Sequence, residues 1–140
     1  MPASIPGLML NPMYRVPLWQ LVFHDCMTSY WYWGDSHNSC PELMSLRDLF
    51  CLLYGEPPLF SFTVSGWEQL RHKITASYQK TVPFAEKTAG KEMLSFGYVN
   101  GDPFVQRTVF AGGSTVTVNF RTGESSIEED SGCTFGIAKK

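Results

Sequence analysis

A chain of 140 residues, 44% of them apolar, is long enough for one folded domain that buries about two-thirds of its unfolded surface. Its charge is nearly balanced at −2 with no basic stripe, which argues against nucleic acid as the main partner, because phosphate contacts need clustered Lys and Arg. Apolar runs such as Leu21–Phe23 and Leu59–Phe62 are too short to span a bilayer, so no membrane segment is expected.

Residues 1–15 read as an irregular lead-in. They have neither the basic start nor the continuous apolar stretch of a secretory leader, and the compartment stays open. Val16–Phe23, "VPLWQLVF", is apolar nearly throughout, which suits a strand covered on both faces. Residues 24–38 then form a loop beyond its C-terminal end, carrying His24, Asp25, the aromatic run Trp31-Tyr32-Trp33, and Gly34-Asp35-Ser36. Rings beside acids and histidines in a loop have the chemistry of a binding site more than of a core. Gly34-Asp35-Ser36 also fits a plain turn.

Helix signals follow. Ser39-Cys40-Pro41-Glu42 fits a capping box with proline in the first turn. Leu43, Leu46, Phe50 and Leu53 recur at helical spacing, and Gly55 with Pro57-Pro58 ends the run. Leu59–Val64 reads as a second short strand. A second capping box, Ser65-Gly66-Trp67-Glu68, predicts a helix to about Lys80 with Trp67, Leu70, Ile74 and Tyr78 on or near one face, and Pro83 starts a shorter piece ending before Gly90. Glu42, Glu68 and Trp67 are expected to be structural.

Near residue 90 the grammar changes. Glu92–Val99, Phe104–Ala111 and Ser114–Phe120 read as strands joined by Asn100-Gly101-Asp102 and Gly112-Gly113, which are hairpin signals. Arg107 is expected to pair with an acid on the sheet surface, and Glu128-Glu129-Asp130 to be a solvated loop. Thr134–Ala138 is a candidate closing strand. The predicted class is therefore α/β followed by all-β, with residues 1–90 and 91–140 as the two parts. An apolar strand at 16–23 with so few neighbours would leave its edges unpaired, so the first part is expected to end a larger α/β domain, with a barrel the leading candidate.

The four cysteines, Cys26, Cys40, Cys51 and Cys133, show no C-x-x-C pair and no zinc spacing. A site built from His24, Cys26, His37 and Cys40 matches no familiar ligand pattern, so neither metal nor cofactor is expected.

The ordered blocks "VPLWQLVFHD", "WYWGDS", "LRDLFCLLYGEPPLF" and "EMLSFGYVNGDPFVQRTVFAGGSTVTVNF" make the chain resemble the C-terminal part of bacterial glycoside hydrolases related to the endo-α-N-acetylgalactosaminidase and α-N-acetylgalactosaminidase families. The resemblance runs over roughly residues 14–120. It implies the last elements of a (β/α)8 catalytic barrel, then a small antiparallel β-domain that is part of a β-sandwich. In such barrels the site lies at the C-terminal ends of the strands. His24, Asp25, Trp31, Trp33 and Asp35 would then face a glycan, rings against sugar C–H faces and polar groups against hydroxyls. Retaining glycosidases need two carboxyl groups about 5 Å apart, and in the similar families earlier barrel strands supply them. The expected partners are therefore a carbohydrate substrate and the missing N-terminal part of the barrel, with the isolated chain inactive. The alternatives are a non-catalytic carbohydrate-binding module and a structural remnant.

Overall fold

The computed structural model describes residues 10–31 and 41–129. A short turn of 3-10 helix, Pro12–Tyr14, leads to α1 (Leu18–Phe23); a second such turn, Pro41–Leu43, runs into α2 (Met44–Tyr54), and α3 spans Val64–Thr88. Four strands follow: β1 (Met93–Val99), β2 (Asp102–Phe110), β3 (Ser114–Asn119) and β4 (Glu124–Glu129). They form one antiparallel sheet in the order β1-β2-β3-β4.

The first correction is at Val16–Phe23, which forms no strand. Leu18–Phe23 is helical, with Leu21 N–H donating to Pro17 O at 2.9 Å and His24 N–H to Gln20 O at 3.1 Å. A short apolar run carries no period that separates buried strand from helix, and the helix satisfies its own backbone where no neighbouring strand is available. Leu21 packs on the core, while Leu18, Trp19, Val22 and Phe23 point outward.

Leu59–Val64 is not a strand either. Parallel pairing occurs just before it, as a single bridge between Trp31 and Pro58. Trp31 N–H donates to Pro57 O at 3.1 Å, and Leu59 N–H to Trp31 O at 3.0 Å. In chain order the described residues thus give a one-residue bridge at Trp31, α2, the bridge's other half at Pro58 and α3, where strand, helix, strand and helix are predicted. Among the described residues no strand precedes β1.

α2 stops where its sequence demands. Gly55 adopts φ +65° and its N–H donates to Leu52 O at 3.2 Å. α3 starts earlier than its predicted box: Thr63 is the cap, its hydroxyl accepting from Gly66 N–H at 3.1 Å, and Ser65 lies inside the first turn. The helix then continues through Pro83 to Thr88. Its buried stripe is Ile74, Ser77, Thr81, Phe84, Ala85 and Thr88, so only Ile74 of the predicted apolar face is enclosed. Trp67 and Tyr78 are exposed. Small side chains let α3 lie close to α2, where a buried polar cluster joins them: Arg47 donates to Asp48 at 3.1 Å and to Ser77 at 2.8 Å, and the Ser77 hydroxyl donates to Asp48 at 2.6 Å. Burial pushes the Asp48 carboxyl above its usual value, against the opposing pull of Ser77 and Arg47.

The hairpins turn where predicted, with Asn100 at φ 54° and Gly101 at φ 74°, and Gly112 and Gly113 also at positive φ. β4 is a strand that the sequence does not predict, and it includes Glu128 and Glu129 of the expected solvated loop. All six of its side chains are exposed, so no apolar alternation announces it, and its pairing with β3 rests on backbone bonds. Arg107 lies near Glu128 at 4.0 Å and donates to Thr117 at 3.0 Å, as expected of a surface pair. Thr134–Ala138 lies outside the described residues.

One face of the sheet is covered by α2. Phe50, Leu53, Phe110, Val116 and Val118 are fully enclosed, each side chain contributing about 1.5–3 kcal/mol by burial. Thr108 ties the layers together by donating to Leu53 O at 2.6 Å. Arg107, Thr117 and Ser126 stand in register on the other face, a polar surface. Among the described residues no second sheet completes a β-sandwich.

Candidate functional site

His24 follows α1 and is buried, 8% exposed. Its Nδ1 lies 2.6 Å from Lys91 O and its Nε2 3.3 Å from Gly55 O, with Phe110 at 4.9 Å between ring centroids. A neutral imidazole donates to one of these carbonyls at a time, and the tautomer selects which. His24 thereby latches α1 to the end of α2 and the start of β1. The sequence reading set His24 and Asp25 at the C-terminal end of a strand; they stand instead at the end of a helix. Asp25 is exposed, and the Cys26 thiol donates to it at 3.2 Å. That hydrogen bond, with the carboxylate's charge, holds the thiol above its usual range.

Trp31 is core. It is 5% exposed, stacks on Phe50 at 5.3 Å with 11° between planes, and carries the Arg15 guanidinium 4.4 Å from its ring centre. Its binding neighbour is therefore protein. Trp33 and Asp35 lie outside the described residues, as do His37 and Cys40.

Beside His24 is a cavity of about 130 Å³ whose walls include Ser29, Glu56, Ala85 and Glu86. Glu56 is 4% exposed. Its Oε1 accepts from Gln20 Nε2 at 2.6 Å and from the Ser29 hydroxyl. Two donors on one oxygen hold the carboxylate still and compensate its burial. The sequence reading missed Glu56 because Gly55, Pro57 and Pro58 around it signal only a helix stop. A short polar residue at Ser29 and an amide at Gln20 gave no spacing that pointed to it.

Direction decides what the cavity can be. Every wall residue it takes from the two paired segments, from His24 to Ser29 and from Gly55 to Pro57, precedes the bridging residues Trp31 and Pro58. The cavity therefore sits at the N-terminal end of the parallel pair. Phe62 and Trp67 follow Pro58 in sequence, both exposed, their ring centroids 5.3 Å apart.

Residues 1–109 match the family described as glycosyl hydrolases related to the GH101 family, GH129. No curated protein sequence matches. Among solved structures, the chain is similar to the α-N-acetylgalactosaminidase NagBb of Bifidobacterium bifidum. Its ligand-free form is 26% identical with a TM-score of 0.58, over 86% of this chain and 19% of that one. Its GalNAc complex is 26% identical with a TM-score of 0.57, over 81% and 18%. A quadruple mutant gives 26% and 0.58, over 81% and 17%. The chain thus spans less than a fifth of the length of these relatives.

Proposed function

The chain belongs to the glycosyl hydrolases related to GH101, GH129, and from that premise we propose that it supplies the closing segment of a glycosidase barrel. In this reading residues 1–90 are the last β/α elements of a (β/α)8 catalytic domain and residues 91–140 its supporting antiparallel β-domain. The complete fold would act on glycans, with α-linked N-acetylgalactosamine the leading substrate, because the similar structures are α-N-acetylgalactosaminidases.

The observation that carries the proposal is the parallel bridge of Trp31 with Pro58, alternating with α2 and α3. Two extended segments pointing the same way, each followed by a helix, are the repeat from which such barrels are built. Barrel sites form beyond the C-terminal ends of the strands. Trp33 and Asp35, which follow Trp31 in sequence, keep the sugar-facing role. His24, Asp25, Trp31 and the Glu56 cavity, which precede or belong to the bridge, serve the other end and the core.

The described carboxylates do not supply a glycosidase pair at the C-terminal end, so the isolated chain is inactive in this reading. The test is incubation of the purified chain with aryl α-N-acetylgalactosaminide, and no turnover is expected. Turnover that disappears in Glu56→Gln or Asp25→Asn would place the chemistry at the wrong end of this proposal and overturn it.

A further inference from the structure

The Glu56 carboxylate lies in the wall of the cavity beside His24, and among the described residues only neutral groups bond to it. Gln20 Nε2 and the Ser29 hydroxyl both donate to Oε1, while Oε2 has no hydrogen-bond partner among the described residues. Glu56 forms no ion pair with them either, although it is 4% exposed and buried carboxylates are ordinarily paired. No Lys or Arg lines the cavity, and Glu86 adds a second carboxyl group to its wall. His24 does not answer the charge, since its ring nitrogens face Lys91 O and Gly55 O. Much of the remaining wall is apolar, with Met27, Val82 and Ala85 in it.

We propose that this cavity binds the ammonium group of a short alkylamine, with Glu56 Oε2 as its acceptor. The inference stands on the cavity and not on the barrel reading. Alkyl carbons would lie against Met27, Val82 and Ala85 while the N–H groups reach the carboxylate, a division that matches the wall. At about 130 Å³ the space exceeds what one water needs. A hard metal ion fits less well. It takes several oxygen ligands, and among the described residues no three metal-ligating side chains gather. A free amine and a lysine side chain of another segment present the same group to this wall.

The experiment titrates the isotope-labelled full chain with n-butylammonium chloride to roughly 50 mM, above the millimolar dissociation constant expected of one charged contact. Amide resonances of Ser29, Glu56 and Ala85 should shift and saturate. n-Butanol keeps the carbons without the charge and should bind about tenfold more weakly or worse. Glu56→Gln should weaken n-butylammonium binding to the same degree, while its amide oxygen still accepts from Gln20 and Ser29. Nα-acetyl-lysine methylamide separates the sources: binding equal to that of n-butylammonium assigns the site to a lysine side chain, and its exclusion to a free amine. Shifts that fail to saturate, equal binding of n-butanol, or the same shifts with sodium chloride at matched ionic strength would each overturn the proposal. Undiminished binding to folded Glu56→Gln would do so too. The n-butanol comparison uses the unaltered protein, so it decides even where that variant does not fold.

Discussion

Gly55 shows how much of this fold rests on one residue lacking a Cβ. A methyl group there would lie 2.7 Å from Thr88 Oγ1, 2.8 Å from His24 Nε2 and 2.9 Å from Phe110 Cζ, at a φ of +65°. Three elements converge on that point, so none can give way alone. Gly55→Ala should cost about 2–4 kcal/mol, a fall in melting temperature of roughly 10 °C, read by thermal unfolding. Its neighbour Tyr54 makes a second, chemical prediction. Burial first, opposed by Arg15, pushes the Tyr54 hydroxyl up from 10.0 to about 12. Between those values the unfolded chain has released this proton and the folded chain has kept it, so stability falls as pH rises above 10.0. Denaturant titrations in that window should show the slope, and Tyr54→Phe should flatten it.

Among elements, α3 carries the most local conflict. Pro83 sits inside it, exposed, without the N–H that would meet the carbonyl one turn earlier. Pro83→Ala should stabilise the protein by about 1–2 kcal/mol, part of the restored helix energy being offset by a freer unfolded chain. An unchanged or lower melting temperature would show that the proline fits its place. Proline misled the reading of the sequence here, because phenylalanine, alanine and threonine at 84, 85 and 88 are enclosed by packing that no local signal announces. Gly55, the Asn100-Gly101 turn and the alternation of β3 were legible since each is fixed by backbone geometry over a few residues. α1 was not, since "LWQLVF" suits strand and helix equally and only its surroundings choose. At the candidate site, Trp31 looked like a ligand platform until Phe50 and Arg15, distant in sequence, proved to pack against its ring.

On the scale of the whole molecule, the change of grammar at residue 90 is not a gap in the core. Leu49, Phe50 and Leu53 of α2 belong to the same cluster as Met93, Phe110, Val116 and Val118. His24 bonds Lys91 O across the same line. The chain should therefore unfold in one transition, with fluorescence of the buried Trp31 and circular dichroism of the sheet giving coincident curves. Separate midpoints for the two would show two independent units. Residues 91–140 produced alone should not fold, because the enclosed face of their sheet would have lost α2.

β4 has a further consequence. Its far side presents backbone donors and acceptors with no strand described against them, a template on which another chain could grow a ribbon. Glu124, Glu128 and Glu129 line that rim, and Lys87 ion-pairs with Glu129 at its end. Two copies meeting rim to rim would bring like charges together, while Ile127 alone offers an apolar grip. The glutamates that contribute nothing to the interior thus set like charge against strand addition at this rim.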